Sequence, residues 1–171
     1  GNTVIAARQR DLLKAGGGHA MAAGFTLDAD KMSEFHDFLD QRVATFIQEE
    51  GIIPTASVDG VLTMEASTLE LINMVQRLGP FGSGNAEPRF AYSGLRVVNA
   101  SVVGKGHVRC VFSNAGGARL QAISFGSAEA SLGHHLLNHG GLPVNVLGRL
   151  RENVWQGRSS VQLLVDDAAF A

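Results

Sequence analysis

Five runs of β-forming residues between positions 95 and 166 constrain the fold more than any other feature of this sequence. Apolar and polar side chains alternate in these runs, which is typical of half-buried strands: 95–103, 107–113, 119–125, 143–151 and 159–166. One helical pattern, over 127–139, separates the third run from the fourth. Five strands with a helix in that place follow the order of an OB-type β-barrel. Small β-sandwiches also have five strands, so the order favours a barrel without excluding a sandwich.

Two helices with a clear apolar stripe are predicted before these strands. The first begins near Asp28 or Asp30 and ends at Gly51 and Pro54, and apolar residues recur along it at helical spacing: Met32, Phe35, Leu39, Val43 and Phe46. The second begins at Ser67–Glu70, which has the pattern of a capping box, and its stripe is Leu71, Met74, Val75 and Leu78.

A short helix over 3–14 and strands over 24–27 and 56–64 complete the expected elements of this half. The fold class is therefore α+β, and the chain is expected in three parts: the C-terminal part of an α/β domain over 1–53, a strand–helix–loop connector over 54–90, and the five-stranded barrel with one helix between strands three and four over 91–171.

Charge is distributed unevenly along the chain. The formal net charge is −2, yet residues 88–165 contain eight Arg and Lys side chains and only two acids. Residues 28–50, in contrast, contain seven acids and two bases. A basic domain is expected to bind a polyanion. The alternative is a solvated basic surface that has no partner.

An OB-type barrel binds oligonucleotides through its second and third strands and through two loops, one joining strands one and two and the other joining strands four and five. Seven residues fall at or beside these places and are the candidates for binding single-stranded DNA: Lys105, Arg109, Arg119, Arg149, Arg151, Trp155 and Arg158. Trp155 beside arginines suits base stacking with phosphate contact. The alternative is that it covers one end of the barrel. Most other aromatic residues of this half are expected in the core, so binding should be electrostatic and sensitive to salt.

The stretch Gly16-Gly17-Gly18-His19 leaves one imidazole beside three residues that have no side chain. A loop of successive glycines can expose backbone N–H groups as an anion-binding concavity. His19 can add a hydrogen bond or a positive charge. The alternative is a tight turn followed by a core histidine.

A complete catalytic centre is not visible in the sequence. Metal-assisted phosphodiester cleavage needs several Asp and His ligands that hold two ions, and no such set is seen. His135 and His139 are four residues apart, but no third ligand is close in sequence, which favours an exposed polar helix face. We expect no metal and no cofactor in this chain.

Four segments together resemble one family. GGGHAMAAGF, residues 16–25, is similar to the GGGH motif of the DHH-associated domain in the DHH phosphoesterase superfamily. Three further segments resemble the RecJ single-strand-specific exonucleases, in the same order: LGPFGSGNAEPRF, LQAISFG and NVWQGRSSVQLLVDD. The turn 153–157 lacks the acidic-aromatic pair that is frequent in the family.

The resemblance implies the C-terminal part of a hydrolase that degrades single-stranded DNA from the 5′ end, in DNA repair and recombination. In that family, two Mn²⁺ or Mg²⁺ ions are held by Asp and His residues of an N-terminal DHH domain. No Asp-His-His triplet occurs here, so this chain alone is expected to be inactive. The resemblance also implies that Gly16, Gly17, Gly18 and His19 contact a substrate phosphate, and that the OB part holds the single strand.

A second hypothesis makes the barrel mainly a protein-docking module. Its arginines would then attract an acidic peptide, such as the tail of a single-strand binding protein, as readily as they attract phosphates. The sequence shows no signal peptide and no apolar run of membrane-spanning length, and Cys110 is its single cysteine. A cytoplasmic location and no membrane partner are expected.

Overall fold

The structure is a computed structural model that describes residues 1–19, 21–52 and 55–171. The chain divides into two compact units, Gly1–Thr55 and Ala56–Ala171. The predicted boundary between residues 53 and 54, and the predicted helix stop at Pro54, lie outside the described residues. Residues 56–90 of the predicted connector belong to the second unit, whereas Thr55 belongs to the first.

The first unit combines two helices with a two-stranded antiparallel hairpin. Its elements are α1 (Asn2–Gln9), β1 (Ala15–Gly18), β2 (Ala23–Thr26), a 3₁₀ turn (Ala29–Lys31) and α2 (Met32–Glu49). The helix predicted over 3–14 is therefore too long. Asp11 adopts a φ of 55°, which lies in the left-handed region, and a right-handed helix cannot continue through it.

Two phenylalanines of α2 anchor the core of the first unit. Phe35 and Phe38 are buried, and the ring of Phe35 lies 4.8 Å from the ring of Phe25 in β2. The rest of this core comes from α1 and the segment after it: Val4, Ala7, Leu12 and Leu13. The predicted stripe of α2 is only partly right, because Met32, Val43 and Phe46 are exposed. The length of a helix rises by 1.5 Å per residue, so α1, with eight residues, is less than half as long as α2, with eighteen. It is therefore too short to cover all of α2.

Five strands of the second unit close into a barrel: β4 (Phe90–Val103), β5 (His107–Ser113), β6 (Arg119–Ser124), β7 (Val144–Trp155) and β8 (Arg158–Phe170). Their hydrogen-bonded order is β4-β5-β6-β8-β7, and β7 pairs with β4 again to close the ring. Only β6 and β8 run parallel within this ring. This is the order of an OB fold, so the predicted mixed α/β chain with a strand-rich barrel is confirmed.

A sixth strand and a helix precede the barrel strands. β3 (Gly60–Val61) pairs in parallel with β4, so the sheet has six strands where five were predicted. α3 (Leu69–Gln76) is capped by Thr68, whose hydroxyl accepts a 3.1 Å hydrogen bond from the Leu71 N–H. Ser67 instead shares a 2.7 Å hydrogen bond with the buried hydroxyl of Tyr92, which offsets the cost of burying that phenol group.

The remaining helix, α4 (Ser131–Leu137), lies between β6 and β7 in sequence, as predicted, but is shorter than the predicted 127–139. It contacts β4, β5 and β8, and Leu136 places its side chain in the core. Gly133 allows α4 to pack closely against the segment that precedes it, because a Cβ at position 133 would lie only 1.9 Å from the carbonyl oxygen of Ser127.

Alternate residues of the strands fill the barrel interior. The most deeply buried are Tyr92, Val108, Cys110, Phe112, Ala122, Val144, Val146 and Leu163. Cys110 stands among apolar side chains, and this burial raises the pKa of its thiol to about 11. The thiol is therefore a small apolar core group rather than a nucleophile.

Cys110 is expected to be unreactive in the folded protein. With a pKa near 11, roughly one thiol in a thousand is ionised at pH 8, compared with about a quarter of free cysteine thiols. A disulfide-exchange reagent such as DTNB should release one equivalent of chromophore only after guanidinium is added. Complete reaction of the folded chain at the rate of glutathione would contradict the assigned burial.

Candidate functional site

The outer surface of β4, β5 and β6 presents three exposed arginines. Inward and outward residues alternate along each strand, so that Arg109 projects outward between the buried Val108 and Cys110. Arg109 is opposite Ser101 of β4 on one side and Ile123 of β6 on the other. Ser113 is likewise opposite both Arg96 and Arg119. We call this surface the arginine face: Arg96, Ser101, Arg109, Ser113, Arg119 and Ile123.

None of the six residues of the arginine face is acidic. Residues 88–128, which include β4, β5 and β6 and the turns between them, contain five Arg and Lys side chains and neither Asp nor Glu. Within the described residues, no ion pair involves Arg96, Arg109 or Arg119. The positive charge of this surface is therefore free to attract an anion.

The turn between β4 and β5 carries Lys105 at one end of the arginine face. Lys105 is exposed and has no ion-pair partner among the described residues. Next to the turn, His107 Nδ1 accepts a 2.9 Å hydrogen bond from the Gly126 N–H. The His107 ring also meets the ring of Phe125 edge-on, with centroids 5.0 Å apart.

Sequence analysis did not name Phe125 as a candidate site residue, since it expected most aromatic residues of this half in the core. The side chain is 62% exposed. Side chains two apart on a strand point to the same side, and Phe125 follows the exposed Arg119 by six residues, so the alternation puts Phe125 on the outer surface. That alternation was the signal that could have found it.

The turn between β7 and β8 carries two of the predicted residues. Trp155 and Arg158 are directly opposite each other at the end of the hairpin, and both are exposed. The indole of Trp155 is 71% exposed. It therefore does not cover an end of the barrel. The exposed indole remains compatible with the other interpretation, in which it stacks on a base.

Arg149 and Arg151 differ from the other predicted residues, because both are held by acids. Arg149 donates to Asp166 at 2.6 and 3.1 Å, and Arg151 pairs with Glu87. Arg149 also lies 3.7 Å from Glu87. The sequence window from 88 to 165 ended one residue short of each of these acids, so it overstated the free positive charge of the barrel.

The glycine stretch forms strand β1, not the predicted loop. Gly16, Gly17 and Gly18 are paired with Phe25, Gly24 and Ala23 of β2. Successive N–H groups of a strand point to opposite sides, so they do not converge as an anion-binding concavity. His19 follows the strand and is exposed, which excludes the alternative of a core histidine.

The three glycines have different surroundings. A Cβ at Gly18 would lie 2.4 Å from the Ala22 carbonyl oxygen, and one at Gly16 would lie 2.7 Å from a methyl of Val4. A Cβ at Gly17 would meet nothing within 4 Å, and the same holds for its cross-strand partner Gly24. Opposite residues of an antiparallel pair share one face, so Gly17 and Gly24 form a bare, accessible patch of backbone.

Alanine substitutions should separate these roles. Gly18→Ala and Gly16→Ala are expected to destabilise the first unit by about 1–3 kcal/mol, because the added methyl overpacks the hairpin. Gly17→Ala should change stability by less than about 0.5 kcal/mol. Urea unfolding followed by circular dichroism measures all three, and equal losses at the three positions would show that the assigned surroundings are wrong.

The His, Cys, Asp and Glu side chains that the structure describes do not form a metal centre. Among the described residues, no group of three or more His, Cys, Asp or Glu side chains could hold a metal ion. The ring of His135 packs against Phe170, with centroids 4.7 Å apart. His139 lies beyond the end of α4, and its Nδ1 accepts a hydrogen bond from the Gly141 N–H. These two histidines therefore have separate structural partners.

The barrel topology and the unpaired arginines define a class: an OB-type domain with a basic outer surface. Sequence comparison is more specific. A family model described as the RecJ OB domain matches residues 58–167. The chain therefore belongs to the RecJ OB domain family.

Relatives and solved structures extend the similarity to nearly the whole chain. The single-stranded-DNA-specific exonuclease RecJ of Bacillus subtilis is 31% identical over 94% of this chain, and that of Haemophilus influenzae is 29% identical over 88%. Crystal structures of RecJ from Thermus thermophilus in complex with Mg²⁺ and with Mn²⁺ superpose with TM-scores of 0.60 and 0.61, at 25% identity. They cover 96% and 98% of this chain.

The chain spans only a part of these relatives. It covers 20% of the Bacillus protein, 26% of the Haemophilus protein and 24% of each Thermus chain. In the part of the chain that the structure describes, no helix is long and apolar enough to cross a membrane.

Proposed function

We propose that this chain is the substrate-holding portion of a 5′-to-3′ single-stranded-DNA exonuclease that acts in DNA repair and recombination. Membership of the RecJ OB domain family supports the proposal, and so do the names of the relatives, which are single-stranded-DNA-specific exonucleases. The observation that carries the DNA-binding role is the arginine face, which has no acid and no ion pair among the described residues.

Free arginines suit a single strand because each phosphate carries one negative charge and releases counterions when it is neutralised. Arg109 and Arg119 are on the second and third barrel strands, whose surface OB folds use for oligonucleotides, and Arg96 is on the adjacent first strand. Lys105 in one loop and Arg158 in another extend the same charge. Trp155 can stack on a base without reading its identity, so the grip is expected to be sensitive to salt and weakly selective for sequence.

The hairpin of the first unit is proposed as a second contact to the substrate. Gly17 leaves its backbone open to a close approach, and the exposed His19 can donate a hydrogen bond or a positive charge to a phosphate. Gly16 and Gly18 support this contact by keeping the hairpin tightly packed. The role of the four-residue motif is thereby divided between packing and binding.

Hydrolysis of the phosphodiester belongs to another part of the enzyme in this proposal. The Thermus RecJ structures were solved with Mg²⁺ or Mn²⁺, and the side chains described here do not form a set of ligands for such ions. No catalytic step is assigned to this chain, and it is expected to be inactive alone.

Docking of an acidic peptide, such as the tail of a single-strand binding protein, is the competing function. Both partners would use the same arginines. The exposed indole of Trp155 favours DNA, since a base offers a flat ring to stack upon and an acidic tail does not require one.

Removing two charges from the arginine face should weaken DNA binding strongly. Arg109→Ala with Arg119→Ala is expected to lower the affinity for oligo(dT) by more than tenfold at low salt. The slope of log K against log salt should fall by about 1.4, because two phosphate contacts are lost. Fluorescence anisotropy of a labelled oligonucleotide across a salt series measures both quantities.

The matched control is Arg149→Ala with Arg151→Ala, which removes the same charge from the same barrel. These arginines are already neutralised by Asp166 and Glu87, so the control should lose less than threefold in affinity. A larger loss in the control than in the Arg109/Arg119 variant would contradict the assignment of the arginine face. An acidic peptide that binds when oligo(dT) does not would favour the docking function.

A further inference from the structure

Phe125 lies at the end of the arginine face, and its exposed ring is held by specific contacts. Isolated hydrophobic residues at a protein surface are ordinary. This one is held in place: His107 packs edge-on against it at an interplanar angle of 78°, and the imidazole is itself fixed by the Gly126 N–H. The two rings form a rigid corner that is open to solvent on the Phe125 side.

Two cations without an ion-pair partner in the described chain flank this aromatic corner in sequence, Lys105 in the turn before β5 and Arg109 on β5. Lys105 precedes His107 by two residues and Arg109 follows it by two. Arg109 shares the outer face with His107, because side chains two apart on a strand point the same way. Residues two apart on a strand are separated by about 6.6–6.8 Å. Neither cation has an ion-pair partner in the described chain.

A flat aromatic surface between two cations is complementary to a base that has a phosphate on either side. We propose that Phe125 and His107 form a stacking subsite for one nucleobase of the bound single strand, with Lys105 and Arg109 receiving the adjacent phosphates. This proposal rests on the proposed function, since it names where on the barrel the strand is held. Every base has a π face, so the subsite tolerates any sequence.

The same unit contains a natural control for the aromatic pair. Phe170 packs against His135 with centroids 4.7 Å apart, and Phe170 is also exposed. No Lys or Arg lies within five residues of either of these two in the sequence. An effect of Phe125→Ala that Phe170→Ala does not reproduce is therefore specific to the charged surroundings of Phe125.

The test compares two probes of equal length and charge: oligo(dT), and an oligomer of abasic deoxyribose phosphates. Phe125→Ala should weaken binding of oligo(dT) on the order of tenfold and leave binding of the abasic oligomer within about twofold. The salt slope should not change, because no phosphate contact is removed. Phe125→Trp should retain the affinity for oligo(dT). Phe170→Ala should bind both probes with the same affinity as the unsubstituted chain.

Equal weakening for both probes, or no weakening for either, would overturn the subsite. If Phe125→Ala has no effect while Arg109→Ala with Arg119→Ala still abolishes binding, the subsite fails and the proposed function stands. If the unchanged chain does not bind oligo(dT) at low salt, the proposed function fails as well. Displacement of oligo(dT) by an oligo-glutamate peptide whose own binding also depends on Phe125 would identify the corner as a peptide site and overturn the proposal.

A second readout applies if Phe125→Ala alters the fold, which its melting curve reveals. Phe125→Trp in a Trp155→Phe background gives one indole at the subsite. Its fluorescence should be quenched by oligo(dT) and not by the abasic oligomer. Equal quenching by both would overturn the stacking contact.

Discussion

Closure of the barrel depends on β4, which pairs along its two halves with different strands. Residues Phe90–Leu95 pair with β7, and residues Arg96–Val103 pair with β5. Within the half that pairs with β7, the register shifts between Tyr92 and Leu95, and Gly94 lies at this shift with a φ of 63°, a conformation that glycine adopts without strain. On β7, Gly148 allows a close contact with β8, since a Cβ there would lie 2.2 Å from the Leu164 carbonyl oxygen. A closed ring gives every strand an inner and an outer side, and the functional surface follows from that division.

The outer side is divided electrostatically. The arginines of β4, β5 and β6 face solvent without acids, whereas Arg149 and Arg151 of β7 are matched by Asp166 and Glu87. These ion pairs are more than a third exposed at their arginines, and pairs of that kind contribute about 0–1 kcal/mol. Their main consequence is that they remove two positive charges from one part of the barrel. Under the proposed function, this difference would direct an anionic strand to β4, β5 and β6 and to the loop that carries Lys105.

Much of this architecture could be predicted from sequence, because strand alternation and turn residues are local signals. The order of the barrel strands and the place of α4 follow from them. The pairing of Arg149 with Asp166 could not be predicted, because it depends on the register between β7 and β8. The strand conformation of Gly16–Gly18 could not be predicted from the sequence either. Glycine is usually a turn residue, whereas in this strand Gly16 and Gly18 are required because Val4 and the Ala22 carbonyl, respectively, lie too close for a side chain. Phe125 was not selected as a candidate, although the alternation of β6, continued by one residue, puts it on the outer surface.

The most direct test of this account observes the arginine side chains themselves during binding. In a chain labelled with ¹⁵N-arginine, titration with oligo(dT) should shift the Nε–H signals of Arg109 and Arg119. The signals of Arg149 and Arg151, which are engaged by Asp166 and Glu87, should remain in place. Shifts confined to Arg149 and Arg151 would contradict the account, because they would mean that DNA displaces the acids and binds the opposite part of the barrel.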